Sequence, residues 1–123
     1  MRTINSNNAP KAIGHYSQAI VSGNLVFTSG QIAINPKTNE FISGTIEEQT
    51  EIIIKNTKAI LESAGTNISK VVKVNVYLAD INDFAAMNKI YEKYFTSKPA
   101  RATIQAAKLP KGAKIELDVI AEI

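Results

Sequence analysis

The sequence predicts an α+β fold: a mixed β-sheet with two helices packed on one of its faces. Three observations carry that expectation. Two stretches repeat apolar residues at helical spacing, and several others alternate apolar with polar residues. Their order, β-β-α-β-α-β-β, places each helix after a strand and so onto a sheet face. At 123 residues the chain suits one domain that buries roughly two-thirds of its unfolded surface. No linker or repeat interrupts it, so residues 1–123 read as a single unit.

Thr3–Asn5 is a candidate short first strand. "SQAIVSGNLVFTSGQIAI" holds two apolar runs about Ser22-Gly23-Asn24, and Gly-Asn offers the positive-φ residues of a tight hairpin. The turn-rich "NPKTNE" follows, and then the period changes. Ile46, Ile53, Thr57, Ile60, Leu61 and Ala64 recur at helical spacing. Thr45 with Glu48 has the form of a capping box, and Gly65 suits the position past the helix end. "KVVKVNVYLAD" alternates Val72, Val74, Val76 and Leu78 against Lys73, Asn75 and Tyr77, the pattern of a strand with one buried face. "INDFAAMNKIYEKYF" returns to helical spacing, with Asn82 or Asp83 able to cap and Phe84, Met87, Ile90, Tyr91 and Phe95 on a core stripe. "RATIQAA" and "IELDVIAEI" close the chain as two strands joined around Pro110-Lys111-Gly112. Two helices on one face leave the other, half-apolar face to water or to a partner subunit.

Composition narrows the function classes. No run approaches the ~18 apolar residues of a membrane span, and the polar start "MRTINSNNAPKA" lacks a secretory apolar core. Cysteine is absent, which removes disulfide and thiolate chemistry; a cytoplasmic location is the expectation. The net charge of +3 is spread over scattered lysines. A solvated surface explains that pattern better than a nucleic-acid track, which clusters its basic residues among aromatics. His15 is the sole histidine, and metal sites or acid–base pairs built on histidine need company. His15 therefore reads as a loop residue.

One residue stands apart. Arg101 follows Pro99-Ala100 in a small-residue setting, directly before an apolar strand. A guanidinium is a planar, permanently charged fork suited to a carboxylate; a structural salt bridge is the other reading. Glu116, inside "KIELDV", reads by itself as the wet face of a strand. If the last two strands form a hairpin turning at Lys111-Gly112, Arg101 lies opposite about Glu122. Glu116 is then six residues further along, or ~20 Å. Ser29-Gly30 either bends its strand at a bulge or presents backbone N–H groups to a ligand.

"GHYSQA", "FTSGQI", "VVKVNVYLADINDFAAMNKIYEKYF", "PARATIQAAKLP" and "KIELDVIA" resemble, in order and spacing, the YjgF/Rid family of small reactive-intermediate deaminases, over essentially the whole chain. The resemblance implies a chorismate-mutase-like fold, a homotrimer with sites between subunits, and cofactor-free hydrolysis of 2-enamine and 2-imino acids to 2-keto acids and ammonia. It assigns Arg101 to the substrate carboxylate and Glu116 to the water or its proton. Tyr16, Ser29, Gly30, Asn88 and Thr103 match positions that line the pocket. Three features depart from common members: His15 stands where proline is frequent, Thr103 where cysteine is frequent, and the "FTSKPAR" loop is shorter. Because Arg101 and Glu116 are too far apart on one regular hairpin, either the hairpin is irregular or the two meet across a subunit boundary, and the boundary is the expectation. Two other functions compete: a 2-keto-acid-binding regulator, and an endoribonuclease or translation inhibitor. One histidine and dispersed lysines rank the last lowest.

Overall fold

The computed structural model describes residues 1–123. The chain order is β1 (Arg2–Ile4), β2 (Ala19–Ser22), β3 (Leu25–Thr28), α1 (Ile46–Ser63), β4 (Val71–Leu78), α2 (Phe84–Tyr94), β5 (Ala100–Gln105) and β6 (Ile115–Glu122).

The local signals hold where they are local. Thr45 and Glu48 form the reciprocal capping box, with the Glu48 N–H donating to Thr45 Oγ1 (3.1 Å) and the Thr45 N–H to Glu48 Oε1 (3.0 Å). Gly65 takes a φ of 86° just past the helix. The expected α1 stripe, from Ile46 through Ile53, Thr57, Ile60, Leu61 and Ala64, is buried throughout. The entry to α2 differs: neither Asn82 nor Asp83 caps it by side chain. Asp80 does that work one turn earlier, its carboxylate accepting from the Asn82 N–H (2.9 Å) at the head of a short 3₁₀ turn. In the β2–β3 loop only Gly23 has a positive φ, 60°, which fits a type II′ turn and leaves Asn24 out of that role.

The six strands form one sheet in the order β1-β2-β3-β6-β4-β5. All neighbours are antiparallel except β4 and β5, which are parallel. The expected hairpin between the last two strands is therefore wrong. β4 lies between them, and α2 serves as the crossover that a parallel pair requires. The alternation on β4 also needs correction at one end. Val72 is 39% exposed while Val71 is buried, because a bulge between Val71 and Lys73 shifts the register against β6 and turns Val72 outwards.

Both helices pack on one face, over Val74, Val76 and Leu78 of β4 and Ile115, Leu117 and Val119 of β6. The opposite face carries a row of Ile20, Phe27 and Ile120, paired across three strands, with Phe27 40% and Ile104 53% exposed. No helix is long and apolar enough to cross a membrane.

Candidate functional site

Arg101 lies on β5 directly beside Val74, whose side chain is buried under the helices. Neighbours across a sheet share a face, so Arg101 points towards α2. There Phe84, Asn88 and Tyr91, at i, i+4 and i+7, line up on one helix face. Nη1 of Arg101 donates to Asn88 Oδ1 (2.7 Å). The guanidinium carbon sits 5.1 Å from the Phe84 ring centre and 4.6 Å from that of Tyr91, and Tyr91 stacks on Phe95 at 4.5 Å. Aromatic faces hold a cation without neutralising it. No carboxylate does: the only ion pair in the chain joins Lys55 to Glu51.

Two hydroxyls nearby are buried without a hydrogen-bond partner, Tyr91 Oη and Thr103 Oγ1. Thr103 is two residues along β5 and shares the face of Arg101. Burial pushes the Tyr91 phenol up, against the opposing pull of the Arg101 charge. Buried polar groups are nearly always satisfied, so two orphans beside an unpaired guanidinium mark a polar site short of a partner.

Glu116 belongs to a different place. It pairs with Tyr77, which alternates with the buried Val76 and Leu78, so its side chain lies on the face opposite the helices. It lines a cavity of about 330 Å³ together with Tyr16, Gly30, Gln31, Pro110 and Lys111. Gly30 is there for space. A Cβ on it would stand 2.3 Å from Glu116 Oε2 and 2.9 Å from Cδ, far inside contact distance, so only glycine lets the carboxyl lie over that backbone. Burial raises the Glu116 pKa first, and the nearby Asp118 carboxylate raises it further. Asp118 is itself held by Asn75, whose Nδ2 donates to Oδ1 at 2.8 Å.

The backbone around Gly30 explains how this pocket opens. β3 ends at Thr28, and Gln31 rejoins β6 by two bonds to Leu117 (2.8 and 3.1 Å). Five residues from Phe27 to Gln31 thus face four from Ile120 to Leu117, a bulge. Thr28 Oγ1 fills the gap by accepting from the Val119 N–H (2.9 Å). Ser29 gives its N–H to Gln18 O (2.9 Å) and its hydroxyl to Ser17 O (2.6 Å). Both Ser29 donors are thus engaged within the chain, beside the bulge.

Gln18, which the sequence reading passed over, organises the far wall. Its buried amide accepts from the Ser6 N–H (2.6 Å) and donates to Ser6 O (3.1 Å) and Pro10 O (2.8 Å). These bonds fix the segment leading to Tyr16, which remains 51% exposed at the pocket mouth. A polar amide at the head of an apolar strand was the available signal. For Tyr91 and Phe84 it was the polar Asn88 on an otherwise apolar helical stripe.

The structure thus gathers the expected residues into two groups. Arg101, Asn88 and Thr103 share the helix face of β5 and α2; Glu116, Gly30 and Tyr16 share the pocket on the other face. The row Arg101–Val74–Val119 and the row Ile104–Tyr77–Glu116 are three residues apart along the strands, ~10 Å, and the sheet itself separates their side chains. Within one chain the two groups cannot touch one small molecule.

Fold and site together describe a small α+β protein with an aromatic-flanked arginine that no carboxylate pairs and a crowded glutamate. The model of the family described as Endoribonuclease L-PSP matches residues 6–123, and the chain belongs to that family, which includes the YjgF/Rid proteins. A RutC family protein of Pyrococcus horikoshii is 53% identical, covering 94% of this chain and 93% of its own. The 2-iminobutanoate/2-iminopropanoate deaminase of Homo sapiens is 46% identical over 98% of this chain and 88% of its own. The crystal structure of E. coli TdcF with bound serine superposes with a TM-score of 0.94 at 37% identity, covering 100% of this chain and 99% of that one.

Proposed function

We propose that the protein hydrolyses short 2-imino acids and their enamine tautomers to 2-keto acids and ammonia, at sites shared between copies of the chain. The observation that carries this is the Arg101 guanidinium, pre-oriented by Asn88 and two aromatic rings yet facing no carboxylate. A small carboxylate is the partner such a fork lacks. That TdcF is seen with serine, a carboxylate beside a nitrogen-bearing carbon, supports a ligand of this kind. The naming of 46% identical relatives as imine deaminases supports the reaction.

The chemistry asks little of the protein. Water adds to the C=N carbon, giving a tetrahedral carbinolamine; the C–N bond then breaks, ammonia leaves, and the oxygen becomes the ketone. Both protons of the water end on the nitrogen: one is passed as the C–O bond forms, the other when the carbinolamine hydroxyl gives up its proton and the C–N bond breaks. Glu116, whose carboxyl burial and Asp118 make more basic than usual, can carry each proton from oxygen to nitrogen in turn. Thr103 can orient water or substrate through its hydroxyl.

Because the two groups lie on opposite faces, the site needs Arg101 from one copy and Glu116 from its neighbour. The exposed row of Ile20, Phe27 and Ile120 offers the apolar surface for that association, and a homotrimer is the assembly proposed. An endoribonuclease, which the family description names, ranks behind: the pocket lining holds no histidine. The deciding experiment generates imines in situ from several amino acids with an amino-acid oxidase and follows imine loss against buffer. The expected result is accelerated hydrolysis with matching ammonia release. No acceleration, with RNA cleavage instead, would remove the deaminase reading.

A further inference from the structure

The pocket around Glu116 carries two features that imine hydrolysis does not use. Lys11 and Lys111 both stand on its rim. Neither ammonium has a carboxylate partner, since the sole ion pair lies elsewhere, on α1. Nor do they attend to Glu116, whose environment is set by burial and Asp118. Two uncompensated positive charges therefore face one opening, with a single carboxyl deeper inside.

The backbones that carry them are fixed. The Lys11 N–H donates to Asn39 Oδ1 (2.8 Å), and Asn39 holds a left-handed φ of 61°. Lys111 adopts φ 57°, ψ 21° between Pro110 and Gly112, whose φ is 68°. Long side chains avoid that region, and such outliers concentrate where ligands bind. The turn is closed by the Ala113 N–H on Pro110 O (3.0 Å).

The cavity also has spare room. About 330 Å³ equals the liquid volume of roughly ten waters, more than a three-carbon imino acid fills. On the deaminase reading, the carboxylate at Arg101 and the reacting carbon at Glu116 leave the substrate side chain to extend towards the rim.

We infer that this pocket is a subsite for an anionic side chain, so that the substrates include 2-imino acids bearing a second, distal carboxylate held between Lys11 and Lys111. The proposal rests on the deaminase reading for the orientation of the substrate but is tested by binding alone.

Two non-reactive keto acids of equal chain length, 2-oxoglutarate and 2-oxopentanoate, differ only in that terminal carboxylate. Isothermal titration of the unsubstituted protein should find 2-oxoglutarate bound about fivefold more tightly or better, the scale of exposed charge pairs. The preference should shrink as salt rises. It should vanish in the double variant Lys11→Gln with Lys111→Asn, asparagine being chosen because it tolerates the left-handed backbone. Equal affinity in the unsubstituted protein, or a preference that survives the double variant, overturns the subsite and leaves the deaminase reading standing. Failure to bind either acid removes both. A dicarboxylate preference without any imine hydrolysis keeps the subsite and removes the enzyme.

Discussion

The two halves of the proposed site are built by different means. The Arg101 half is made of regular structure: a β5 residue laid against the Phe84–Asn88–Tyr91 face of α2, dry on its flanks and held by a hydrogen bond and two rings. The Glu116 half is made of irregular structure: a bulge at Thr28–Gly30, a left-handed turn at Lys111 and a loop tied down by Gln18. Rigid elements suit a group that must hold a charge in one orientation. A pocket of turns suits a carboxyl that must meet water and change protonation. If that division is right, the halves fail differently when perturbed.

The largest effect is expected at Arg101. Losing a bidentate, charge-assisted contact to a desolvated carboxylate costs on the order of 3 kcal/mol, hence ~100-fold or more in turnover at low substrate. Arg101→Lys should recover little, because an ammonium cannot reproduce the fork or lie flat between two rings. A lysine variant with most of its activity would show that the α2 face supplies charge and not orientation.

The next test joins the halves. Glu116→Gln should lower turnover by ~100-fold, within the range of a general acid–base, while leaving keto-acid affinity nearly unchanged. Mixing Arg101→Ala chains with Glu116→Gln chains, then unfolding and refolding them together, should restore activity. In a symmetric ring of shared sites, about a quarter of the sites would draw both intact residues from different chains. Activity that never rises above that of the two parents would mean that the site is not shared.

How far the halves were legible follows from the same division. Helix limits, caps and core stripes depend on residues a few positions apart, and Thr45, Glu48 and Gly65 behave as their chemistry dictates. Sheet order depends on pairings between distant residues. The "RATIQAA" and "IELDVIAEI" strands were read as a hairpin because they adjoin in sequence, although a strand–helix–strand order of β4, α2 and β5 argues for a parallel pair. That error made Arg101 and Glu116 seem separated along one hairpin. They are separated by the sheet itself, which strengthens the case for two copies on other grounds. The bulge at Val72 left no mark in the alternation, whereas the one at Gly30 was offered by the Ser29-Gly30 pair itself. Lys11 and Lys111 looked like ordinary surface lysines, since the sequence marks a turn at Pro110-Lys111-Gly112 but not the pocket beside it.

A smaller effect is expected from Gly30→Ala. Gly30 has no positive φ, so alanine introduces no backbone strain. The new Cβ simply claims the space of Glu116 Oε2, the far end of a flexible side chain, which can swing away at little cost to folding. Turnover should fall by about tenfold, from misplacement of the proton-exchanging group, with the melting temperature nearly unchanged. An unaffected rate would show that the observed carboxyl position is not the working one.

The smallest effect concerns stability, and its sign separates the halves once more. The Glu116 pKa is raised by burial and then by Asp118, so the folded state disfavours the ionised form. Such a group destabilises nothing below its unfolded pKa of about 4.3, where it is protonated in both states. Stability is lost as pH rises through the higher folded value and stays lost at neutral pH. Glutamine mimics the protonated form at every pH. At matched protein concentration, Glu116→Gln should therefore melt with the unsubstituted protein at pH 3.5–4. At pH 7.5 it should melt higher by only about 1–2 °C, because solvent screens a half-exposed carboxyl. A variant that is less stable at pH 7.5 would mean that the carboxylate is held by a compensating partner, and the pocket would then resemble the Arg101 half more than it contrasts with it.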